Sequence, residues 1–233
     1  MWGLTSLYKA SFSTGAKPLD NLIGGVPSVG TLEFVGPPGC GKTQLCHQLA
    51  VMVQLPPSSG GLGAPALYVD TEGTFRPERI ALIADYRGLD PSEALERIIY
   101  ARAHKWEDIV EAVSACGDVG VVLIDSLSRP FRGAYTLREL GVLRGKLCSV
   151  AAFLFRWSLE RGIPVVFTSH ALGAGAFGDP YVSMFSSVRV YLEPLGRGLV
   201  EARVRGVGRV SLVIREVGVL GAEEGSGYSP RGY

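Results

Sequence analysis

The feature that most constrains the fold is a short glycine-rich segment in the first quarter of the chain. Residues 36–43 read Gly-Pro-Pro-Gly-Cys-Gly-Lys-Thr, which fits the pattern G-x-x-x-x-G-K-[ST]. An apolar, strand-like run over residues 31–36 precedes the segment, and a helical pattern over about 42–53 follows it. Because glycine allows positive φ and lets backbone N–H groups approach an anion closely, this context predicts a loop that wraps phosphate groups.

Two side chains at the end of this loop carry the expected chemistry. Lys42 is expected to reach the β and γ phosphates of a nucleotide, and the Thr43 hydroxyl to bind Mg²⁺. The helix that begins at Lys42 adds the partial positive charge of its N-terminus. A chance glycine-rich turn is the alternative, which the strand before the loop and the helix after it disfavour. The candidate nucleotide-binding residues are Gly36, Pro37, Pro38, Gly39, Cys40, Gly41, Lys42, Thr43 and Gln44.

The order of apolar runs predicts the class of fold. Strand-like runs alternate with helical patterns, which is typical of an α/β domain with a mostly parallel central sheet flanked by helices. Residues 119–125 and 163–169 are almost continuously apolar, as strands buried on both faces are.

The C-terminal part of the chain has a different pattern. Short apolar runs at 188–192, 199–204 and 210–214 are separated by turns that contain glycine. We expect them to form an antiparallel extension of the sheet. One domain is predicted over residues 1–220, and the Gly-, Ser- and Pro-rich residues 221–233 are predicted to be a flexible tail.

Charge and cysteine content exclude several classes of protein. The formal net charge is +1, from 23 basic and 22 acidic residues, so the chain does not bind nucleic acid by total charge alone, although a local basic patch remains open. The four cysteines form no C-x-x-C pair, which favours a reduced chain. The sequence shows no signal peptide and no apolar run of about 18 residues, so we expect a cytoplasmic protein without a membrane partner.

Two acidic residues follow predicted strands. Asp125 ends the apolar run 119–125 and is expected to hold the Mg²⁺ shell, often through water; a carboxylate that caps a turn is the alternative. Asp70 and Glu72 lie at the end of the run 66–70. Because ligands of open α/β sheets bind at the carboxyl edge, Glu72 is our candidate general base for an attacking water, and a solvated turn acid is the alternative.

Further segments identify a family resemblance. The most specific is residues 69–80, which contain Asp70-Thr71-Glu72-Gly73-Thr74-Phe75-Arg76-Pro77. Supporting segments are Ser13-Thr14-Gly15 with Leu19-Asp20, residues 49–57, Asp125-Ser126-Leu127, Phe131-Arg132, Phe177-Gly178-Asp179-Pro180 and Arg189-Val190-Tyr191-Leu192. Over residues 11–216 the chain resembles the ATPase core of the RecA/RadA recombinase family, and most of all archaeal RadA and its RadB-type paralogues. The resemblance implies a RecA-like P-loop NTPase core with ATP and Mg²⁺ as cofactors.

The resemblance also implies residue roles. Glu72 corresponds to the base that activates water, beside the catalytic Lys42. Arg79 corresponds to an arginine that stacks on adenine, for which a helix-surface charge is the alternative. The family binds single-stranded DNA through two loops, and guanidinium groups with an interleaved aromatic ring suit phosphate contact and base stacking. In the first loop and the helix after it, the DNA-binding candidates are Arg129, Arg132, Tyr135, Arg138 and Arg144, any of which instead faces solvent in the alternative interpretation.

Four departures from the family pattern limit what we expect of this chain. The family's N-terminal helical domain and the linker with its Phe-x-x-Ala motif are expected to be missing, since the core begins about a dozen residues into the sequence. The family's Thr-Asn-Gln is replaced by Thr168-Ser169-His170, so His170 is either a phosphate sensor or a strand-end histidine without a functional role. The second DNA loop, 170–187, is short, and residues 204–209 replace the segment that caps a neighbour's ATP.

These features leave three functions open. The first is an accessory ATP-binding, slowly hydrolysing paralogue in recombination and repair, with weak single-stranded DNA binding and a main RadA-type recombinase or other paralogues as partners. The second is a minimal DNA-dependent ATPase with its own strand-pairing activity. The third is a nucleotide-gated scaffold of the RecA-like superfamily without a DNA role. The intact phosphate loop and acids favour ATP turnover, and the four departures favour the first function over the second.

Overall fold

A computed structural model describes residues 10–132, 137–173 and 175–223 of the chain. The strands are β1 (Ala10–Phe12), β2 (Val26–Pro27), β3 (Thr31–Gly36), β4 (Ala66–Asp70), β5 (Ile98–Arg102), β6 (Val121–Asp125), β7 (Val165–Leu172), β8 (Gly175–Ala176), β9 (Val188–Gly196), β10 (Leu199–Val204), β11 (Gly208–Arg215) and β12 (Gly218–Gly221). The helices are α1 (Lys17–Ile23), α2 (Lys42–Met52), α3 (Pro77–Tyr86), α4 (Pro91–Glu96), α5 (Trp106–Ala115) and α6 (Leu137–Arg161). None of the helices in the described ranges is long and apolar enough to cross a membrane.

The main sheet combines a parallel part with an antiparallel part. Its strand order is β12-β11-β10-β9-β3-β7-β6-β4-β5. The pairs from β9 to β5 are parallel, and the pairs from β12 to β9 are antiparallel. The predicted α/β fold with a mostly parallel sheet and a C-terminal antiparallel extension is therefore confirmed.

Helices cover both faces of this sheet. Successive residues of β4 alternate between two apolar cores: Tyr68 packs in the core beneath α1–α4, and Leu67 and Val69 pack in the core beneath α5 and α6. All five residues of β6 are buried, as are all six of β3. Strands enclosed on both faces are nearly continuous in apolar residues, which is why these runs could be recognised in the sequence.

The structure corrects the prediction at the sheet's antiparallel border. Residues 188–192 were expected in the antiparallel extension, but β9 pairs in parallel with β3, with Leu32 opposite Val188 and Val35 opposite Tyr191. Only its other side is antiparallel, toward β10. Strand direction depends on which neighbour a strand meets, and an isolated apolar run does not carry that information.

Some predicted features fall outside the described residues, and some observed elements were not predicted. The tail expected over 221–233 is described only as far as residue 223. The elements not predicted are β1, α1, β2, α4, β8 and β12, because short elements give weak periodicity.

A buried charge network holds the connection between β7 and β9 against the sheet. Glu33 of β3 is fully buried, and its Oε2 lies 2.6 Å from Arg189 Nε of β9. The same guanidinium donates to both carboxylate oxygens of Asp179, at 2.8 and 3.0 Å. Ser186 Oγ donates to Glu33 Oε2 at 2.7 Å. The short second loop is therefore anchored at two points, through Ser186 to β3 and through Asp179 to β9.

Removing the cation of this network should destabilise the fold. Arg189→Ala leaves the Glu33 carboxylate buried without its partner, so we expect the free energy of unfolding to fall by about 3–5 kcal/mol. The control Lys17→Ala, at an exposed position of α1, is expected to change it by no more than about 0.5 kcal/mol. Urea-induced unfolding monitored by circular dichroism measures both. Equal effects of the two variants would show that the network does not stabilise the fold.

Candidate nucleotide-binding site

Four adjacent strands end at the same edge of the sheet, and each leads to a predicted site residue. β3 runs into the phosphate loop, β7 reaches His170, β6 ends at Asp125, and Glu72 follows β4. In the register of the sheet Gly36 is opposite His170, and Asp70 is opposite Asp125. Residues that are far apart in the sequence are thus brought to one edge, where open α/β sheets bind ligands.

An open cleft of about 410 Å³ lies at this edge. Its walls come from the phosphate loop, the ends of β6 and β7, the turn after β4, and α2, α3 and β11. The predicted residues in its lining are Pro38, Gly39, Gly41, Lys42, Thr43, Gln44, Glu72, Arg79, Asp125 and His170. The residues not predicted are His47, Thr74, Arg76 and Ile214.

The phosphate loop requires its glycines for two different reasons. Gly41 has φ +89°, a conformation that other residues rarely adopt, and a Cβ there would lie 2.8 Å from Ile214 Cδ1. A Cβ on Gly36 would lie 2.6 Å from the backbone oxygen of Leu192 on the neighbouring strand. The loop therefore bends at Gly41 and packs closely on β9 at Gly36.

The Lys42 side chain bonds to the backbone of the phosphate loop. Its Nζ donates to the backbone oxygens of Gly36 and Pro37, both at 2.8 Å, and lies 3.7 Å from Cys40 Sγ. The side chain is buried, and burial raises the pKa of the Cys40 thiol, so the sulfur is a neutral neighbour of the ammonium group. The loop thus holds a lysine charge at the N-terminus of α2, the arrangement that binds phosphate groups.

The carboxylate of Asp125 joins the phosphate loop to the sheet. Thr43 Oγ1 donates to its Oδ2 at 2.6 Å, and Thr168 Oγ1 of β7 donates to its Oδ1 at 2.6 Å. Tyr68 and Thr74 hydroxyls lie 3.4 and 3.3 Å from Oδ2. A buried carboxylate is tolerated when such donors satisfy its oxygens.

The pair Thr43 and Asp125 fits a magnesium ion. Mg²⁺ prefers hard oxygen ligands, uses one or two protein side chains, and takes the remainder from phosphates and water. A hydroxyl and a carboxylate 2.6 Å apart at the phosphate loop supply that donor set. In the ranges that the structure describes, no three His, Cys, Asp or Glu side chains cluster as an all-protein metal site would need.

Glu72 lies in a turn that a neighbouring acid holds in shape. Asp70 Oδ1 accepts the backbone N–H of Glu72 at 3.0 Å and of Gly73 at 2.7 Å. Arg102 Nη1 of β5 lies 3.3 Å from the same oxygen. Asp70 is almost fully buried and does not line the cleft, so of the two acids noted in the sequence only Glu72 faces it.

The carboxylate of Glu72 contacts the segment that follows β6. Ser126 Oγ donates to its Oε1 at 2.8 Å, and Arg129 Nε lies 3.4 Å from its Oε2. His170 Nδ1 lies 3.8 Å from Oε1. The candidate base is therefore linked both to the start of the first loop and to the end of β7.

His170 lines the cleft as a neutral imidazole at neutral pH. Burial lowers its pKa, the positive charges of Lys42 and Arg132 lower it further, and the nearby carboxylates only partly oppose this. Ser128 Oγ lies 3.2 Å from His170 Nδ1, which fixes the orientation of the ring. A neutral imidazole with one N–H keeps the ability to donate a hydrogen bond that a sensor of phosphate needs.

The turn between β11 and β12 contacts two residues of the cleft lining. Gln44 Nε2 donates to the backbone oxygen of Arg215 at 3.2 Å, so the predicted nucleotide-contacting amide also holds this turn. Arg79 Nη1 lies 4.0 Å from Glu216 Oε1, and about a third of the Arg79 side chain is exposed. Arg79 therefore lines the cleft beside the turn that carries Glu216.

The DNA-binding candidates lie on the surface as far as they are described. Arg129, Arg132 and Arg144 are exposed, the first two in the turn after β6 and the third on α6. Tyr135 lies outside the described residues, and Arg138 is in α6 but its side chain lies outside the described part.

Sequence reasoning missed residues that reach the cleft through space. His47 lies one helical turn after Thr43, a spacing that places both on one face of α2 and that could have been noticed. Its ring stacks on Tyr68, with ring centroids 5.6 Å apart, and burial lowers its pKa to about 4. Its Nε2 accepts the backbone N–H of Arg76 at 3.4 Å, while Nδ1 has no partner among the described residues.

The fold and this site define a P-loop nucleotide-binding protein with a RecA-like core. The model of the Rad51 family matches residues 9–189, and the chain belongs to that family. Proteins of the RecA/Rad51 family are P-loop ATPases that bind ATP with Mg²⁺ and act on DNA in recombination and repair.

The buried imidazole of His47 should make stability depend on pH. The unfolded chain takes up a proton near the ordinary pKa of 6.5, whereas the folded chain does so only near 4, so acid favours unfolding between these values. We expect this histidine to lower the free energy of unfolding by about 3 kcal/mol between pH 7 and pH 4. His47→Phe should lose that component in urea unfolding across the range, and the exposed-site control His104→Phe should keep it. An unchanged pH dependence in His47→Phe would contradict the assignment.

Proposed function

We propose that this chain is an ATP-binding, slowly hydrolysing Rad51-family paralogue that assists recombination and repair, as an archaeal RadB-type protein does. The convergence of Lys42, Thr43, Asp125 and Glu72 on one cleft carries this proposal, because these four groups suffice to bind and hydrolyse a magnesium-bound triphosphate.

The reaction assigned to the cleft is transfer of the γ-phosphoryl group of ATP to water. The water oxygen bonds to the γ phosphorus while the bond from phosphorus to the bridging oxygen breaks, and ADP and inorganic phosphate leave. Glu72 orients the water and accepts its proton. Backbone N–H groups of the phosphate loop and Lys42 stabilise the charge that develops on the phosphoryl oxygens.

The magnesium ion and the adenine ring each have proposed contacts with the protein. Thr43 and Asp125 would hold Mg²⁺, which neutralises phosphate charge when bound. Arg79 is proposed to stack on adenine, a role that suits a planar guanidinium. Its position in the cleft lining, with about a third of the side chain exposed, supports this.

The proposal of slow turnover rests on two segments outside the nucleotide-binding cleft. The segment corresponding to the family's ATP cap is a tight turn between β10 and β11, with Val204 paired to Gly208. Such a turn has few residues with which to reach the nucleotide of a second subunit. The second loop is short, and Arg189 ties its Asp179 back to the sheet. These features support an accessory role over autonomous strand exchange.

Weak single-stranded DNA binding is proposed for the first loop. The exposed side chains of Arg129, Arg132 and Arg144 support it, since guanidinium groups contact phosphates without sequence preference. The proposed protein partners are a main RadA-type recombinase or other paralogues.

ATP turnover measured with and without single-stranded DNA, and then with the main recombinase added, separates the candidate functions. The accessory role predicts stimulation by the recombinase. Stimulation by DNA alone to a high rate would instead support a self-sufficient DNA-dependent ATPase. A rate that neither addition changes would remove the DNA role.

Two substitutions test the roles within the cleft. Glu72→Gln keeps shape and nucleotide contacts but removes the proton acceptor, so we expect unchanged ATP affinity and turnover reduced by about 10²–10⁴-fold. Lys42→Ala should lose nucleotide binding or turnover. Steady-state phosphate release and equilibrium binding of a fluorescent ATP analogue measure the two effects. The control is Glu96→Gln at an exposed position of α4, and wild-type turnover in Glu72→Gln would exclude Glu72 as the base.

A further inference from the structure

One segment of the chain contacts both carboxylate oxygens of Glu72. Ser126 Oγ donates to Oε1 at 2.8 Å, and Arg129 Nε lies 3.4 Å from Oε2. Both partners follow β6 directly, at the start of the stretch proposed to meet DNA. The residue assigned to activate water is therefore in direct contact with the first residue of the proposed DNA surface.

Backbone hydrogen bonds hold the turn that carries Arg129. Phe131 is buried, and its N–H donates to the backbone oxygen of Ser128 at 3.2 Å. The N–H of Arg132 donates to the backbone oxygen of Arg129 at 3.1 Å. This tight turn fixes the backbone of Arg129, while its long side chain can change rotamer.

The two partners of this ion pair differ in exposure. About half of the Arg129 side chain is exposed, at 53%, whereas 21% of Glu72 is exposed. An anion that approaches from solvent therefore reaches the guanidinium without entering the cleft. Ion pairs with such exposure contribute little free energy, so a phosphate group on the same arginine competes with the carboxylate effectively.

We propose that Arg129 is a positioning residue that restrains Glu72, and that a phosphate of single-stranded DNA bound to Arg129 releases the carboxylate to orient the attacking water. This regulation rests on the proposed function of the cleft. While the pair is intact, both carboxylate oxygens are engaged by the turn after β6. Once DNA draws the guanidinium away, Ser126 alone holds one oxygen, and the other is free to bind water.

The test measures ATP turnover by wild type, Arg129→Ala and Arg129→Lys, each without DNA and with a saturating oligothymidylate. Removing the restraint should raise the DNA-free kcat of Arg129→Ala by about two- to fivefold, the range expected for an exposed ion pair, with KM for ATP unchanged. Added oligothymidylate should then give Arg129→Ala no further increase. Arg129→Lys keeps the charge and should retain a low DNA-free rate and part of the stimulation.

A matched control removes a similar ion pair elsewhere. Arg156 of α6 lies 3.6 Å from Glu160, and both side chains are mostly exposed. Arg156→Ala makes the same change of charge, and we expect wild-type turnover with and without oligothymidylate. A DNA-free rate that rises equally in both variants would show a general effect of charge and would overturn the proposal.

The DNA-free rate separates failure of this inference from failure of the proposed function. If wild type hydrolyses ATP and binds oligothymidylate, but Arg129→Ala has an unchanged or lower DNA-free kcat, Arg129 does not restrain Glu72 and only the inference is wrong. If wild type neither binds nor responds to oligothymidylate, measured by fluorescence anisotropy and turnover, the DNA role and the DNA-triggered release are both wrong. If wild type does not hydrolyse ATP at all, the proposed function of the cleft itself is wrong.

Discussion

The structure of the cleft depends on one buried carboxylate. Asp125 accepts hydrogen bonds from Thr43 at the start of α2 and from Thr168 on β7, both at 2.6 Å. In a low-dielectric interior these bonds are strong, and an unpaired carboxylate there is costly. The same contacts that keep Asp125 stable therefore fix the phosphate loop relative to the sheet. The proposed magnesium ligands are held by the core of the fold and are not adjusted by surface loops.

The groups assigned to hydrolysis have different partners from the groups assigned to binding. Asp70 fixes the backbone of the turn after β4, but the carboxylate of Glu72 extends from that turn toward Ser126 and Arg129. His170 is oriented by Ser128 from the same segment. The proposed nucleotide-binding groups thus contact the core of the sheet, whereas the proposed water-activating groups contact the turn after β6, in which Ser126 and Ser128 are buried and Arg129 is exposed. This division supports the proposal that a ligand at Arg129 changes the rate of hydrolysis and leaves nucleotide binding unchanged.

The sequence allowed the phosphate loop, Asp125 and Glu72 to be found, because each lies at the end of an apolar run or in a motif of fixed spacing. It did not show that Asp70 holds a turn while Glu72 faces the cleft, since two acids in one turn have the same pattern whichever role each has. His47 and Thr74 reach the cleft only through packing. The pair of Arg129 and Glu72 joins positions 57 residues apart, and no local periodicity encodes such a contact. The direction of β9 was likewise decided by its neighbour β3.

A crystal structure of the chain with Mg²⁺ and a non-hydrolysable ATP analogue would show whether Asp125 organises the nucleotide site. We expect the triphosphate within the loop of residues 36–43, with the metal between the γ-phosphate, Thr43 and Asp125, and with Glu72 facing the γ-phosphate. A triphosphate bound elsewhere, or a metal that touches neither Thr43 nor Asp125, would contradict it.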